Sequence, residues 1–159
     1  MATPRPRDLN HLTLPEQLWL WRRRQPTATP RARAGRDSTW MSQAEAAAAI
    51  GVSVNSYVRF EAGQAWEREV DRVTRCLSVK WDAGVPSPTL PELCALARRR
   101  SGLPLDIVEQ LLGVSRPTYL LMERQGDPRV ASFWAGRGYR FPTEYAAYCS
   151  VPEPIEVEA

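Results

Sequence analysis

Histidine and lysine are nearly missing from this chain. His11 and Lys80 are the single examples among 159 residues, so 20 of the 21 basic residues are arginine. One histidine, placed ahead of the first helical stretch with no acid and nucleophile beside it, cannot complete a hydrolytic triad. Cysteine is scarce too: Cys76, Cys94 and Cys149 are odd in number and widely separated. They lack the paired spacing of a zinc site, and reduced thiols in a cytosolic protein account for them. No apolar run approaches the ~20 residues that cross a bilayer, and the Arg- and Pro-rich start is unlike a signal peptide. No Gly-rich loop follows a strand pattern as phosphate binding requires, and the scattered acids fit helix caps and surfaces. These gaps argue against an enzyme. The expectation is a small cytoplasmic protein without catalytic residues, metal, cofactor or membrane contact.

What is present is a basic front and an acidic tail. Residues 1–36 hold eight Arg against Asp8 and Glu16, a net +6, whereas the last 19 residues hold four Glu and no base. Such asymmetry suits nucleic acid with a solvated C-terminus, or an acidic protein surface. The Arg bias, with abundant Ala, is also what GC-rich coding produces, so Arg number alone carries little weight.

Residues 41–63, MSQAEAAAAIGVSVNSYVRFEAG, carry the strongest signal. Ser42 and Glu45 form a capping box that starts a helix at Gln43. Ala44 and Ala46 to Ala49 favour helix and let another helix cross closely. Gly51 supplies the left-handed position that ends the helix, and Ser53 caps the next one, which runs to Gly63. Ile50, Val52, Tyr57 and Phe60 share one side as core. Val54, Asn55, Ser56 and Arg59 fall on the other side and stay free.

With these residues, the chain resembles the Cro/C1-type (XRE-like) helix-turn-helix regulators of bacteria and phages. The likeness rests on Gln43, Glu45-Ala46, Ile50-Gly51-Val52-Ser53 and Glu61-Ala62-Gly63. A second copy lies in residues 102–126, where Gly113-Val114-Ser115, Tyr119 and Glu123 repeat Gly51-Val52-Ser53, Tyr57 and Glu61 at an offset of 62. Upstream, Thr13-Leu14-Pro15-Glu16 and Arg22-Arg23-Arg24 reappear as Thr89-Leu90-Pro91-Glu92 and Arg98-Arg99-Arg100 at an offset of 76. The two offsets differ by the 14 residues of an insertion at 26–39 in the first copy. Internal duplication is therefore legible in the sequence itself, and the likeness covers about two thirds of the chain.

The fold expected is all-α: tandem lambda-repressor-like helix-turn-helix modules with a connecting helix. The first module takes residues 1–83, with its basic insertion at 26–39; residues 84–88 are a linker, 89–150 the second module, and 151–159 an acidic disordered tail. Each copy opens with a T-x-x-E capping box and Pro in the first turn. Leu14, Leu18 and Trp21, and again Leu90, Cys94 and Ala97, recur at helical spacing. Pro26, Pro30 and Gly35 oppose a helix in the insertion. It reads either as a surface loop or as an arm that carries Arg31, Arg33 and Arg36 to the DNA backbone or minor groove. Trp66, Val70, Val73 and Leu77 place one amphipathic helix over residues 65–81, with Arg72 and its charged neighbours on a solvated face. Residues 128–134 and 143–149 read as two short helices.

The resemblance implies roles for individual residues. Arg22 pairs with Glu61 and Arg98 with Glu123, while Arg23, Arg24, Arg99 and Arg100 stay solvated or face phosphates. Gln43 holds a phosphate, and Val54, Asn55, Ser56 and Arg59 read base edges: Asn suits adenine, Arg suits guanine, and Val meets a thymine methyl. The second copy has Leu105 at the place of Gln43, and its reading positions hold Arg116, Pro117, Thr118 and Leu121. Exposed Leu120 and Leu121 on that helix point to a protein contact, with Arg116 and Thr118 as weaker DNA contacts.

The implied function is sequence-specific binding of double-stranded DNA by a transcription regulator, more readily a repressor than an activator. The major groove is read mainly by residues 54–62, at half-sites one helical turn (~34 Å) apart. These come from one chain as a pseudo-dimer, or from a homodimer formed through the second module. The competing reading is an adaptor, an inhibitor of a host factor or an antitoxin, that uses the same fold to bind protein.

Overall fold

Helix starts in this protein are set by short side chains that meet the first free amides. In the computed structural model, which describes residues 7–33, 36–64, 67–80 and 87–149, three capping boxes are complete. Thr13, Ser42 and Thr89 each accept from the amide three residues on, and Glu16, Glu45 and Glu92 reach back to the cap amides. The described residues are mostly helical and divide into two units, Leu12–Ser87 and Met1–His11 with Pro88–Ala159. No helix among them is long and apolar enough to cross a membrane.

The first unit contains α1 (Leu14–Arg24), strands β1 (Pro26–Arg33) and β2 (Arg36–Trp40), then α2 (Gln43–Ile50), α3 (Val54–Glu61) and α4 (Glu67–Lys80). Leu18, Trp21, Ala46, Ala47, Ile50, Tyr57, Phe60 and Val73 are buried together as its core. Val52, expected among them, is only half-buried. Gly51 ends α2 at φ +83°, a conformation that a side chain would disfavour. The connecting helix is found over 67–80; residues 65, 66 and 81 lie outside the described residues.

The insertion corrects the loop reading. β1 and β2 pair antiparallel, with Pro26 opposite Trp40, Arg31 opposite Ser38, Ala32 opposite Asp37 and Arg33 opposite Arg36. Register slips between Pro26 and Arg31. Pro26 begins its strand and Pro30 sits in the irregular stretch, where a missing amide removes no regular ladder bond. A lone two-stranded ribbon is marginal in water, but here its base is tied to helices. The Met41 amide donates to the Gln25 carbonyl (2.9 Å), and the Thr27 hydroxyl to Glu45 Oε1 (2.7 Å). The Arg23 guanidinium lies over both Trp19 (4.7 Å) and Trp40 (4.9 Å), so Arg23 is part of this joint rather than a solvated charge.

The second unit contains α5 (Leu90–Ser101), α6 (Leu105–Leu112), α7 (Arg116–Gln125), α8 (Pro128–Gly136) and a 3-10 turn (Thr143–Tyr148). The last two match the short helices expected at 128–134 and 143–149. Leu93, Cys94, Ala97, Val108, Tyr119, Val130 and Trp134 fill its core. Burial pushes the Cys94 thiol well above its ordinary value, as suits an inert core residue.

Residues 7–11 belong to this unit and not to the first module, as a division at 1–83 had it. Asp8 forms a parallel bridge to Arg140; the Leu9 amide donates to the Arg140 carbonyl (2.9 Å) and the Arg140 amide to the Arg7 carbonyl (2.8 Å). Leu9 is fully buried. Arg100, expected in solvent, is buried too, and donates to the carbonyls of Asp8 (2.9 Å) and His11 (2.6 Å). The buried guanidinium is thereby met by two backbone carbonyls. The acidic tail at 151–159 lies outside the described residues.

Candidate nucleic-acid interface

The site is built from the turn between α2 and α3. Ser53 caps α3 by accepting from the Ser56 amide (3.1 Å), and its hydroxyl donates to Ser56 Oγ (2.9 Å). Tyr57, Phe60 and Glu61 are buried, which fixes the roll of α3 about its axis. Val54 (45% exposed), Asn55 and Arg59 face solvent, and Ser56 is half-exposed beside the cap. Val58, 41% exposed, borders the same surface and was not expected there. Gln43, half-buried, stands at the first position of α2.

Two buried charges hold this arrangement. Arg22 Nε donates to Glu61 Oε2 (2.7 Å) and its Nη2 to Glu61 Oε1 (3.0 Å), while Nη1 reaches the Met41 carbonyl (3.2 Å). Burial disfavours the Arg22 charge, but the Glu61 bonds outweigh it, so its proton is held more tightly than usual. The second unit repeats the device: Arg98 is bidentate to Glu123 at 2.9 and 3.1 Å. One forked ion pair thus ties α1 to α3 and another ties α5 to α7.

A further support had no signal in the sequence. Arg72 of α4, placed by periodicity on a solvated face, donates to the Gly51 carbonyl (2.6 Å). The Cys76 thiol donates to the Ile50 carbonyl (3.5 Å). A cation at the C-terminal end of α2 also complements its dipole. Nothing in the run of α4 charges distinguishes Arg72 from Arg75.

The second unit keeps the geometry and changes the chemistry. Leu105 opens α6, where no side chain caps the helix. Arg116 is half-exposed, but its Nε is held by Glu109 Oε1 (3.0 Å). The Thr118 hydroxyl accepts from Ser115 Oγ (2.8 Å). Leu120, Leu121 and Met122 are not one exposed run: only Leu121 is open, at 49%, while Leu120 is half-buried and Met122 lies in the core. The apolar surface lies partly elsewhere, on Leu111 (54% exposed) and Ile107 of α6. With Asp106 and Glu109 on the same helix, this surface is apolar and acidic, where the face of the first unit carries Val54, Asn55, Val58 and the cation Arg59.

Arg31, Arg33 and Arg36 lie on the ribbon, which leads through Met41 and Ser42 directly into Gln43 at the start of α2. Among the described residues, no group of His, Cys, Asp and Glu could hold a metal ion. No family model matches the chain, and no curated protein or solved structure matches it significantly.

Proposed function

We propose that this protein is a cytoplasmic, sequence-specific double-stranded DNA-binding regulator of transcription, acting as a repressor in a bacterial or phage-infected cell. The observation that carries the reading is the open face of α3: Val54, Asn55 and Arg59 project while Tyr57, Phe60 and Glu61 anchor the helix. A helix held this way fits a major groove ~12 Å wide, with Asn55 and Arg59 offering paired contacts to adenine and guanine. Gln43 supplies a backbone contact beside it. Repression needs only occupancy of a promoter, so no further surface is required.

The test is selection of bound genomic fragments, then titration of the best fragment against a scrambled duplex. Asn55→Ala and Arg59→Ala are each expected to lose about 1–3 kcal/mol on the selected fragment and little on the scrambled one. Equal losses on both duplexes would refute base reading by α3.

The second unit supports a protein contact. Leu111, Ile107 and Leu121 are open, and Arg116 is already engaged by Glu109. Homodimerisation through this unit fits a regulator that binds paired half-sites. If no duplex is retained and the chain co-purifies with another protein, the helix-turn-helix serves as an adaptor instead.

A further inference from the structure

The second unit carries an open hollow of about 410 Å³ where its N-terminal stretch meets the chain after α8. That volume lies within the ~300–1,000 Å³ usual for small-molecule sites. Tyr139 is buried and Phe141 half-buried, and with Ala146 of the 3-10 turn they give the hollow an apolar wall. Its charged lining is one acid and one base, Asp8 and Arg140, with Asn10 beside the acid. Asp8 Oδ1 accepts from the Asn10 amide (3.0 Å) and from Asn10 Nδ2 (2.7 Å). These bonds hold its carboxyl below the usual carboxylate range, so Asp8 is ionised at neutral pH. The backbone bridge between Asp8 and Arg140 keeps the two residues side by side. Even so, among the described residues their side chains form no ion pair with each other, and the Arg140 guanidinium, which is exposed, makes no hydrogen bond. A simple anion would meet Asp8 as a like charge here, and a simple cation would meet Arg140 as one. A molecule carrying both signs beside an apolar body suits both.

We propose that this hollow binds a free α-amino acid with an apolar side chain. Arg140 takes the carboxylate, whose two oxygens match the guanidinium fork. Asp8 takes the ammonium through Oδ2, and the wall of Tyr139, Phe141 and Ala146 takes the side chain. Such a ligand ties residues 8–10 to residues 139–146, the same closure that buries Leu9. It is therefore an effector that stabilises the second unit by binding only its closed form. The proposal concerns this unit alone and does not depend on the DNA-binding reading.

The experiment titrates leucine and phenylalanine separately into the full chain, followed by calorimetry. Each is compared with its decarboxylated amine and its deaminated acid: isoamylamine and isocaproate for leucine, phenethylamine and hydrocinnamate for phenylalanine. At least one amino acid is expected to bind, with both of its analogues weaker by about ten-fold or more, since each analogue lacks one charge-assisted contact. At ten times its Kd, that amino acid should raise the Tm of the second unit by about 6–11 °C. Arg140→Gln should weaken the amino acid and the acid but spare the amine, whereas Asp8→Asn should weaken the amino acid and the amine but spare the acid. Ala146→Trp, which fills the hollow, should abolish binding. The analogue comparison uses the unaltered chain, so it stands even where a variant fails to fold. Binding of neither amino acid overturns the proposal, as does an analogue that binds as tightly as its parent. Binding that survives Ala146→Trp, or a charge substitution that weakens acid and amine alike in a folded variant, overturns it too.

Discussion

Replacing Glu61 by Ala should unfold the first unit at a markedly lower temperature. Glu61 is only 4% exposed and its Arg22 partner 14%, so the change strands a guanidinium in a place poor in water. Breaking a buried pair from one side costs about 3–5 kcal/mol, through the uncompensated charge more than the missing attraction. Arg22 retains its bond to the Met41 carbonyl, which argues for the lower end, about 3 kcal/mol. That is a large share of the roughly 4–11 kcal/mol expected for a unit of this size. It corresponds to a fall in Tm of roughly 12–24 °C. Calorimetry reads the shift, and amide hydrogen exchange at α1 and α3 assigns it to this unit. Arg22→Met with Glu61→Leu removes both charges and should recover most of the loss. The reasoning fails if Glu61→Ala moves Tm by less than about 4 °C, or if the double replacement is worse than the single one.

Leu9→Ala should cost about 2–5 kcal/mol, because Leu9 is fully buried against the second unit. Exchange protection should fall in α5 and α8 and hold in α3; the opposite pattern would return residues 7–11 to the first unit. Both units should also weaken in alkali. Burial first, and then Glu61 or Glu123, raises the phenols of Tyr57 and Tyr119. A raised folded value means that this stability is complete below the unfolded tyrosine value of about 10 and is lost as pH rises past it. Urea midpoints should drop above about pH 10, and Tyr57→Phe with Tyr119→Phe should flatten the drop. An alkaline limb unchanged by those replacements would show that other groups govern it.

Local chemistry was the legible part of this chain. Capping boxes at Thr13, Ser42 and Thr89 and the glycine stops at Gly51 and Gly113 depend on neighbours a few residues away, so reading them needs no tertiary knowledge. The Arg22–Glu61 and Arg98–Glu123 pairs span 39 and 25 residues. They were reached through the family resemblance, which supplies pairings that periodicity cannot. Arg23 and Arg100 were misplaced for a common reason. Arginine is most often at the surface, and only the fold brings Trp40 over one and the Asp8 and His11 carbonyls to the other. The ribbon was hidden because its strands carry proline and arginine in place of alternating apolar residues. For the candidate site, exposure of Asn55 and Arg59 followed from helix phase. The support given by Arg72 did not, since it depends on how α4 packs against α2.

The stretch that pairs with Arg140 also imposes an order on synthesis. Residues 7–11 leave the ribosome ahead of everything they bind, and their site is complete only once α8 and the strand residue after it have emerged. The unit between them is whole by then, since domains fold as they are translated. Translation therefore leaves residues 7–9 without their Arg140 hydrogen bonds until that residue has emerged, and a truncation before Arg140 yields a chain in which the first unit can be finished while this pairing of the second is missing.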